Sequence, residues 1–446
     1  MLLTTETMTR QIVFIIVLLA TLGVFSYTAI RVIRLFRLTR PAFAVGDIGK
    51  RILLTLKVAI AQSRIFRRPF SGVLHALVFW GFCLILFGTI EIVIDGVIGA
   101  ERSLQILGPF HTFMMAAGDI FALIVAISIV LFLARRVFTN IARFSGEEIK
   151  RVSKIDATFA LSMIFFLMIS LLGTNASYMA LMNAGDEQIA GAYPAASLFL
   201  PLFAGAGDDT LHLWHELFWW AHILLIFIFA NILPYSKHFH VFMSVPNVFL
   251  TRLDPPGKLP NMDSITREVK LMLNPETAFE ASPAGEEPGR FGVKDAEDAT
   301  WKNYFDSLAC TECGRCTAVC PANITGKRLS PRKVMMDLRS RMKQKGNAIL
   351  KNGRGYDDGR SLVRDYISEE ELWACTTCNA CYRECPINID HPSFIVDMRR
   401  YLVMEEGAAP GEIKAIFNNI ENNGAPWQYS PEDRLLWAKG LEVKGD

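Results

Sequence analysis

Apolar residues are concentrated in the first 245 positions of this chain of 446 residues. Five stretches there are long and uncharged enough to cross a bilayer as helices, because about 20 apolar residues span its hydrocarbon core. They lie near residues 11–32, 71–95, 112–134, 156–175 and 216–236. No small-residue cleavage site follows the first stretch, which therefore predicts an uncleaved anchor and not a signal peptide.

The second part of the chain is more polar and predicts shorter helices. Residues 253–300 are rich in Pro, Gly, Glu and Asp, so we expect 246–300 to be a linker with little core of its own. Beyond it, Ser330-Pro331 predicts a helix start. The predicted fold class is all-α: a five-helix transmembrane bundle (1–245), the linker, and an all-helical domain (301–446).

Two further helix starts are predicted in the polar part. Ser368-Glu369-Glu370-Glu371 is a capping box, in which the first and fourth side chains satisfy backbone N–H groups at a helix N-terminus. Pro392 opens another predicted helix, which runs to about Met404.

Positive charges are distributed unevenly between the apolar stretches. Ten Lys/Arg separate the first stretch from the second and six separate the third from the fourth, whereas the other two loops hold only Arg102 and none. The positive-inside rule then predicts an outside N-terminus, a cytoplasmic second part, and a multi-pass protein of the cell inner membrane. The formal net charge of +2 gives no sign of a nucleic-acid partner.

Eight of the nine cysteines form two copies of the pattern C-x2-C-x2-C-x3-C-P. The copies are Cys310, Cys313, Cys316, Cys320 and Cys375, Cys378, Cys381, Cys385. This is the spacing of two-cluster ferredoxins, where three thiolates of one loop and the fourth of the other loop hold each [4Fe–4S] cluster. We therefore expect Cys385 to complete the first cluster and Cys320 the second, and the chemistry to be one-electron transfer.

Two other interpretations of the cysteines are weaker. Zinc usually takes two separated C-x2-C pairs, not four cysteines within eleven residues followed by Pro. Disulfides would need an oxidising compartment, whereas the charge distribution predicts a cytoplasmic location.

Histidines within apolar stretches are costly and indicate function. His75 opens the second stretch on the inner side and His111 opens the third on the outer side. His222 and His240 are 18 residues apart, which on one helix is five full turns and about 27 Å. We expect two haems b, an inner one between His75 and His240 and an outer one between His111 and His222.

Alternative ligands remain for each haem. His238 could replace His240, and His215, which shares a helical face with His222, could replace that residue. His212 is expected to be interfacial and His391 structural. If the histidines of the second and third stretches only make hydrogen bonds at the interface, no haem is required.

Acidic residues gather at the outer ends of the apolar stretches. Solvated helix ends explain most of them. The sharper hypothesis is a quinone site near the outer haem, where a carboxylate or His215 exchanges protons. The candidates are Glu91, Asp95, Asp119, His215 and Glu216.

The segment Leu233-Pro-Tyr-Ser-Lys-His-Phe-His240-Val resembles the last membrane helix of the nitrate reductase gamma-type cytochromes b. The resemblance implies a haem ligand at His240, and the family's 18-residue ligand spacing fits His222. That family carries a second ligand ten residues after the one matching His75, but Ile85 stands there. The outer haem must therefore take another ligand, for which His111 is the candidate.

The cysteine-bearing part resembles the iron–sulfur part of heterodisulfide-reductase-like proteins. The matching residues are Cys313-Gly-Arg-Cys316-Thr, Cys320-Pro-Ala, Gly326-Lys-Arg-Leu-Ser-Pro331-Arg and Asn423-Gly-Ala-Pro-Trp427. Together the two parts look like the membrane subunit of electron-transfer-flavoprotein:menaquinone oxidoreductases. In related chains Cys-Cys-Gly domains follow, and we expect a separate subunit to supply them here.

The resemblance implies an electron-transfer subunit of a quinone-linked oxidoreductase, which would be incomplete without its partner chain. Electrons would pass between electron-transferring flavoprotein or another soluble redox protein, the clusters, haem b and menaquinone. One alternative is a quinol-oxidising subunit that delivers electrons to disulfide or sulfur chemistry. Another is a non-catalytic iron–sulfur anchor or redox sensor without haem.

Overall fold

The structure, a computed structural model, describes residues 5–146, 148–274 and 290–441. It is helical throughout, and the described residues contain no β-strand, only isolated bridges such as Arg40–Thr300. The helices of the first part are α1 (Thr5–Phe36), α2 (Ile48–Thr55), α3 (Pro69–Ile98), α4 (Pro109–Phe138), α5 (Arg151–Ala184), α6 (Asp208–Ile232), α7 (His240–Phe249) and α8 (Asp263–Leu273). The predicted all-α class is confirmed.

The second part consists of shorter helices. They are α9 (Trp301–Ala309), α10 (Arg315–Ala318), α11 (Pro321–Ile324), α12 (Pro331–Arg341), α13 (Asn347–Asn352), α14 (Leu362–Asp365), α15 (Glu369–Trp373), α16 (Ala380–Glu384), α17 (His391–Met404) and α18 (Gly411–Asn423). The predicted start signals are present. Ser330 accepts from the backbone N–H of Lys333, and Ser368 and Glu371 form the capping box that begins α15.

Five helices (α1, α3, α4, α5 and α6) are long and apolar enough to cross a membrane, as predicted. They close into a ring, since α1 contacts α3 and α6, and α4 and α5 complete the circle between those two. Glycines bring the neighbours close. A Cβ on Gly96 of α3 would lie 2.6 Å from the ring of Phe14, and one on Gly173 of α5 would lie 2.5 Å from Phe218. Small residues permit such close approach between membrane helices.

The last long helix is not continuous, which corrects one expectation. α6 ends at Ile232, two short 3-10 turns follow (Leu233–Tyr235 and Lys237–Phe239), and α7 begins at His240. Pro234 has no N–H for the helical ladder, and Ser236 is extended at φ −96° and ψ 157°. The predicted five-turn geometry between His222 and His240 is therefore wrong, because the chain changes direction between them.

The end of the expected linker packs into the second part. Val293, Ala296 and Ala299 are buried in the same core as Tyr304. The C-terminal end of α1 joins this core as well, with the ring centres of Phe36 and Tyr304 4.8 Å apart. The membrane bundle and the cysteine-bearing part thus share one hydrophobic core.

Candidate redox site

The two cysteine loops have the same local backbone. The second residue after the first cysteine is left-handed in both loops (Glu312, φ 58°; Thr377, φ 53°), and so is the fourth (Gly314, φ 72°; Asn379, φ 59°). These turns curl each loop around its three cysteines before α10 or α16 begins. At Gly314 a Cβ would approach a guanidinium nitrogen of Arg332 to 2.5 Å, so glycine suits that position.

The eight cysteines are free thiols that sort into two neighbourhoods. Cys316 lies within electrostatic range of Cys310, Cys313 and Cys385. Cys381 lies within range of Cys375, Cys378 and Cys320. Each loop is thus accompanied by the last cysteine of the other, which is the arrangement that crossed ligation requires. The assignment of individual ligands stays a prediction.

The thiols suit metal ligands better than free nucleophiles. Burial raises the pKa of Cys310 to about 11 and that of Cys385 to about 12. A thiol in such surroundings is inert unless a metal deprotonates it. Backbone N–H groups of Thr377 and Ile389 point at the sulfurs of Cys375 and Cys385, each at 3.5 Å.

The residues are not arranged for a single ion. Within the described ranges no three His, Cys, Asp or Glu side chains converge closely enough for one. A cubane cluster spreads its four ligands over separate corners, so this finding bears only on the zinc alternative.

The two loops differ in exposure. Residues 376–378 of the second loop are exposed to solvent, including Cys378. In the first loop Cys310, Cys316 and Cys320 are buried, and the loop faces the membrane bundle through Arg315. The second neighbourhood is therefore the outward one and the first lies next to the bundle.

Three of the predicted haem ligands use Nδ1 for a hydrogen bond within the protein. Nδ1 of His222 donates to the Leu167 carbonyl at 3.0 Å, and Nδ1 of His240 donates to the Lys237 carbonyl at 3.3 Å. Nδ1 of His75 donates to Oε1 of Gln62 at 3.1 Å. Metal-bound histidines typically hold Nδ1 in this way and bind through Nε2. Nε2 of His222 is buried and makes no hydrogen bond with any described residue.

The inner pair is close in space. His75 and His240 interact electrostatically with each other, and His75 also with Arg315 of the first cysteine loop. Burial lowers the pKa of His240, and it lowers the pKa of His238 to about 3. Both rings are therefore neutral, which is the form that binds a metal.

His111 differs from the other three. Its Nε2 lies 2.9 Å from Oε1 of Glu91, and both side chains are fully buried. To serve as the outer haem ligand it would have to release Glu91. Arg102 is placed to receive that carboxylate, since its guanidinium is 3.6 Å from Oε2 of Glu91. The role of His111 stays a prediction.

Arg102 is the centre of a buried polar network at this end of the bundle. Its backbone N–H donates to Asp95 at 2.9 Å, and its guanidinium donates to Oδ1 of Asn175 at 3.1 Å. Asn175 in turn donates to Asp119 at 3.0 Å. The guanidinium also lies 4.8 Å from the ring centre of Tyr178.

The network gathers most of the acidic candidates. Glu91, Asp95 and Asp119 belong to it, and His215 borders it with its ring 6.3 Å from Tyr178. Glu216 does not, because it is 40% exposed and pairs with Arg10 at 2.9 Å. His212 is exposed and His391 is buried in the second part.

Sequence reasoning missed the residues that join these candidates. In the sequence Arg102 is only a loop charge, although a lone cation between two apolar stretches is a usable signal. Asn175, Tyr178 and Tyr193 give no such signal, since residues of these types are common in membrane helices and loops.

A helical membrane bundle joined to a domain with two cysteine neighbourhoods defines the class of membrane-associated iron–sulfur proteins. Residues 302–386 match the family model of the 4Fe-4S dicluster domain. No solved structure gave a significant match.

Known relatives are iron–sulfur oxidoreductases. The chain is 30% identical to "Probable iron-sulfur-binding oxidoreductase FadF" of Bacillus subtilis over 84% of its own length and 53% of the relative. It is 28% identical to "EtfAB:quinone oxidoreductase" of Syntrophomonas wolfei over 95% and 58%, respectively. The cysteine-bearing part is similar to one chain of the ferredoxin/F(420)H(2)-dependent CoB-CoM heterodisulfide reductase of Methanosarcina acetivorans, with 35% identity over 23% of this chain and 49% of the relative.

The chain spans a little over half the length of its two long relatives. The predicted resemblance to heterodisulfide-reductase-like proteins is supported by these matches, whereas none of them bears on the cytochrome b resemblance of the bundle.

Proposed function

We propose that the chain is a membrane-anchored electron-transfer subunit of a quinone-linked oxidoreductase. The observation that carries this proposal is the order of the sites. The exposed second cysteine loop is followed by the buried first loop, then by the His75–His240 pair, and the buried network around Arg102 lies at the far end of the bundle. Such a series suits electrons that enter from a soluble partner and leave at a membrane substrate, or the reverse.

Two [4Fe–4S] clusters fit the cysteines. Cys310, Cys313, Cys316 and Cys385 would hold the first, and Cys375, Cys378, Cys381 and Cys320 the second. Clusters of this kind and haem b each supply a one-electron carrier when bound. The protein's own part is to bury the thiolates, aim backbone N–H groups at the sulfurs, and leave only the second loop open to a partner.

Haem b fits the histidines. His75 and His240 would hold the inner group, and His222 with His111 the outer one. The unpartnered Nε2 of His222 supports this most directly, because a buried ring nitrogen without a partner costs free energy unless a ligand uses it.

Menaquinone is the proposed membrane substrate. Reduction of a quinone consumes protons as well as electrons, and the network around Arg102 offers carboxylates that can pass them. Oε2 of Glu91 is buried without a hydrogen bond, although it faces Arg102. The group is thus held close to a cation and next to His111, where it can exchange a proton.

Electron-transferring flavoprotein is the proposed soluble partner, together with a separate Cys-Cys-Gly subunit. The name of the Syntrophomonas relative, which pairs EtfAB with a quinone, supports the first. The second rests on the similarity to a chain of a heterodisulfide reductase. The same similarity favours a second candidate function, a quinol-oxidising subunit that feeds disulfide chemistry.

The two functions and the haem-free alternative are separated by one set of measurements on the purified full chain. We expect about eight irons in two [4Fe–4S] clusters by anaerobic EPR, and b-type bands in the reduced-minus-oxidised spectrum. Reduced electron-transferring flavoprotein should then reduce the haem. If menaquinol reduces the clusters while the flavoprotein does not react, the second function holds. A spectrum without b-type bands would contradict the haem proposal.

A further inference from the structure

The segment between α2 and α3 is held by arginines on both sides. Arg315, between two cysteines of the first loop, donates from its two terminal nitrogens to the carbonyls of Arg64 and Ile65 at 3.0 and 3.3 Å. Arg64 donates in the opposite direction, to the carbonyls of Tyr382 and Cys385 at 3.0 and 3.1 Å. We call Arg64 and Arg315 the arginine clasp.

The clasp connects the first cysteine neighbourhood to a haem-ligand candidate. Gln62, two residues before Arg64, is buried and accepts the hydrogen bond from Nδ1 of His75. Its backbone is left-handed (φ 52°), and its carbonyl accepts from the N–H of Ile65 at 2.8 Å. A movement of the first cysteine loop is thus passed through a short segment of backbone to the ring of His75.

The clasp also places positive charge where no carboxylate balances it. Arg315 is 6% exposed, and in the described part of the chain no acidic side chain lies within 4 Å of either clasp guanidinium. Burying an unpaired cation is costly, so some other negative group is expected beside it. The thiolates of Cys313, Cys316 and Cys385 and the cluster that they would hold supply that charge.

We propose that the arginine clasp is the junction between the first cluster and the inner haem site. Arg315 and Arg64 are positioning residues with two effects. Their charge raises the reduction potential of the first cluster, because a nearby cation favours the more negative reduced form. Their hydrogen bonds fix the cysteine loop against the segment that orients His75. This inference rests on the proposed function.

Substitution at Arg315 tests both effects, and the second cluster supplies a matched control. Arg399 donates to the Leu372 carbonyl at 2.9 Å and also to the Cys375 carbonyl, so it stands to the second loop as Arg315 does to the first. The full chain and its Arg315→Gln, Arg315→Lys, Arg64→Gln and Arg399→Gln variants would be titrated potentiometrically by EPR. The rate of haem reduction by dithionite would be followed on the same samples.

In Arg315→Gln and Arg64→Gln we expect one cluster potential to become more negative, while Arg399→Gln shifts the other cluster. Arg315→Lys keeps the charge but cannot reach both carbonyls. It should therefore retain the potential and slow haem reduction about tenfold or more, as small misplacements do. Faster hydrogen exchange at residues 61–68 in Arg315→Gln would report the loosened junction independently of any cofactor.

The proposal is overturned if both cluster potentials stay unchanged in Arg315→Gln with about eight irons retained, or if Arg315→Gln and Arg399→Gln shift the same cluster. Should Arg315→Gln lose iron, Arg64→Gln decides the question by the same criterion. A wild-type chain without haem would remove the haem part of the proposed function, yet the potentials would still decide the charge effect.

Discussion

At the scale of single residues, the histidines are distinguished by which ring nitrogen the protein occupies. His222 has its Nδ1 tied to Leu167 and Ser170 on α5 and its Nε2 left without a partner among the described residues. His215, seven residues earlier on the same helix, lies beside Ser177 and Tyr178 and borders the Arg102 network. The same residue type on the same helix face therefore has two different expected roles.

We predict that His222→Ala removes one of two haems, because it removes the ring with the free Nε2. His215→Ala is the matched control and should retain both haems. His111→Ala should lose the same haem as His222→Ala. Haem content per protein, measured as the pyridine haemochrome with the iron of the clusters as reference, checks this. Two haems in His111→Ala would leave His222 with another partner, whereas two haems in His222→Ala would refute the outer site.

The carboxylates give a second residue-scale prediction. Glu91 is buried and contacts His111 and Arg102, whereas Glu216 is exposed and paired with Arg10. If Glu91 passes protons to the quinone, Glu91→Gln should lower kcat for quinone reduction about 100-fold, the usual size of a lost general acid or base. Haem and iron content should not change.

Glu216→Gln is the control for Glu91→Gln, since both are candidates from the sequence and only one lies in the network. It should keep nearly full activity under the same assay. Equal losses in the two variants would indicate a general effect of charge at this end of the bundle and count against a proton path through Glu91.

The residue scale also shows what sequence can predict of the site. The cysteines are predictable because their spacing alone carries the chemistry, and their two neighbourhoods agree with crossed ligation. The acidic candidates are predictable by residue type and position. Arg102, Arg64 and Arg315 are not, because a buried arginine is recognised by the groups that surround it, and those come from distant parts of the chain.

At the scale of elements, local signals predict helix starts well and one helix end poorly. The capping residues Ser330 and Ser368 and the proline after His391 each mark a helix start in the structure. Apolar periodicity, by contrast, continues the last membrane helix through Pro234 to His240. Proline and an extended serine end the helix there, and hydrophobicity does not reveal such a break, since both sides of it are apolar.

The glycine contacts between membrane helices give a prediction at this scale. Gly96 leaves no room for a side chain beside Phe14, whereas a Cβ on Gly23 of α1 meets nothing within 4 Å. Gly96→Leu should destabilise the α1–α3 contact by about 1–3 kcal/mol, the usual cost of overpacking. Gly23→Ala, which improves helix propensity without contact, should be neutral or slightly stabilising.

The midpoint of thermal unfolding of the full chain in detergent, read from the α-helical circular dichroism signal, measures both variants. Gly96→Leu should unfold at a lower temperature than the wild type, and Gly23→Ala should not. If Gly96→Leu unfolds like the wild type, α1 does not pack on α3 as closely as the structure has it.

At the scale of the whole molecule, the two parts are joined in a way that the sequence does not reveal. Composition divides the chain at a linker, but Val293 and Ala299 from its end share a core with Tyr304, and Arg40 after α1 pairs with Asp298 at 2.7 Å. Contacts between residues so far apart in the chain leave no trace in local patterns. Membrane orientation, on the other hand, is predicted from sequence alone, because it depends on the count of charges in the loops.

That orientation is open to a direct test. The loops after α1 and after α4 carry ten and six Lys/Arg, and the loop after α5 carries none. In intact cells an impermeant maleimide should therefore label Asp186→Cys, which follows α5, and not Asn140→Cys, which follows α4. Both positions are exposed, so permeabilised cells should label both equally. The reverse pattern would put the cysteine-bearing part outside.

The orientation also determines the energetics of the proposed reaction. With the cysteine loops inside and the Arg102 network at the outer end, each electron moving outward across about 100 mV releases roughly 2.3 kcal/mol. Quinone reduction by a cytoplasmic donor should then slow in vesicles when the membrane potential is collapsed by an ionophore. Unchanged rates would mean that electrons do not cross the bilayer, and the quinone site would have to lie at the inner end, near His75 and His240.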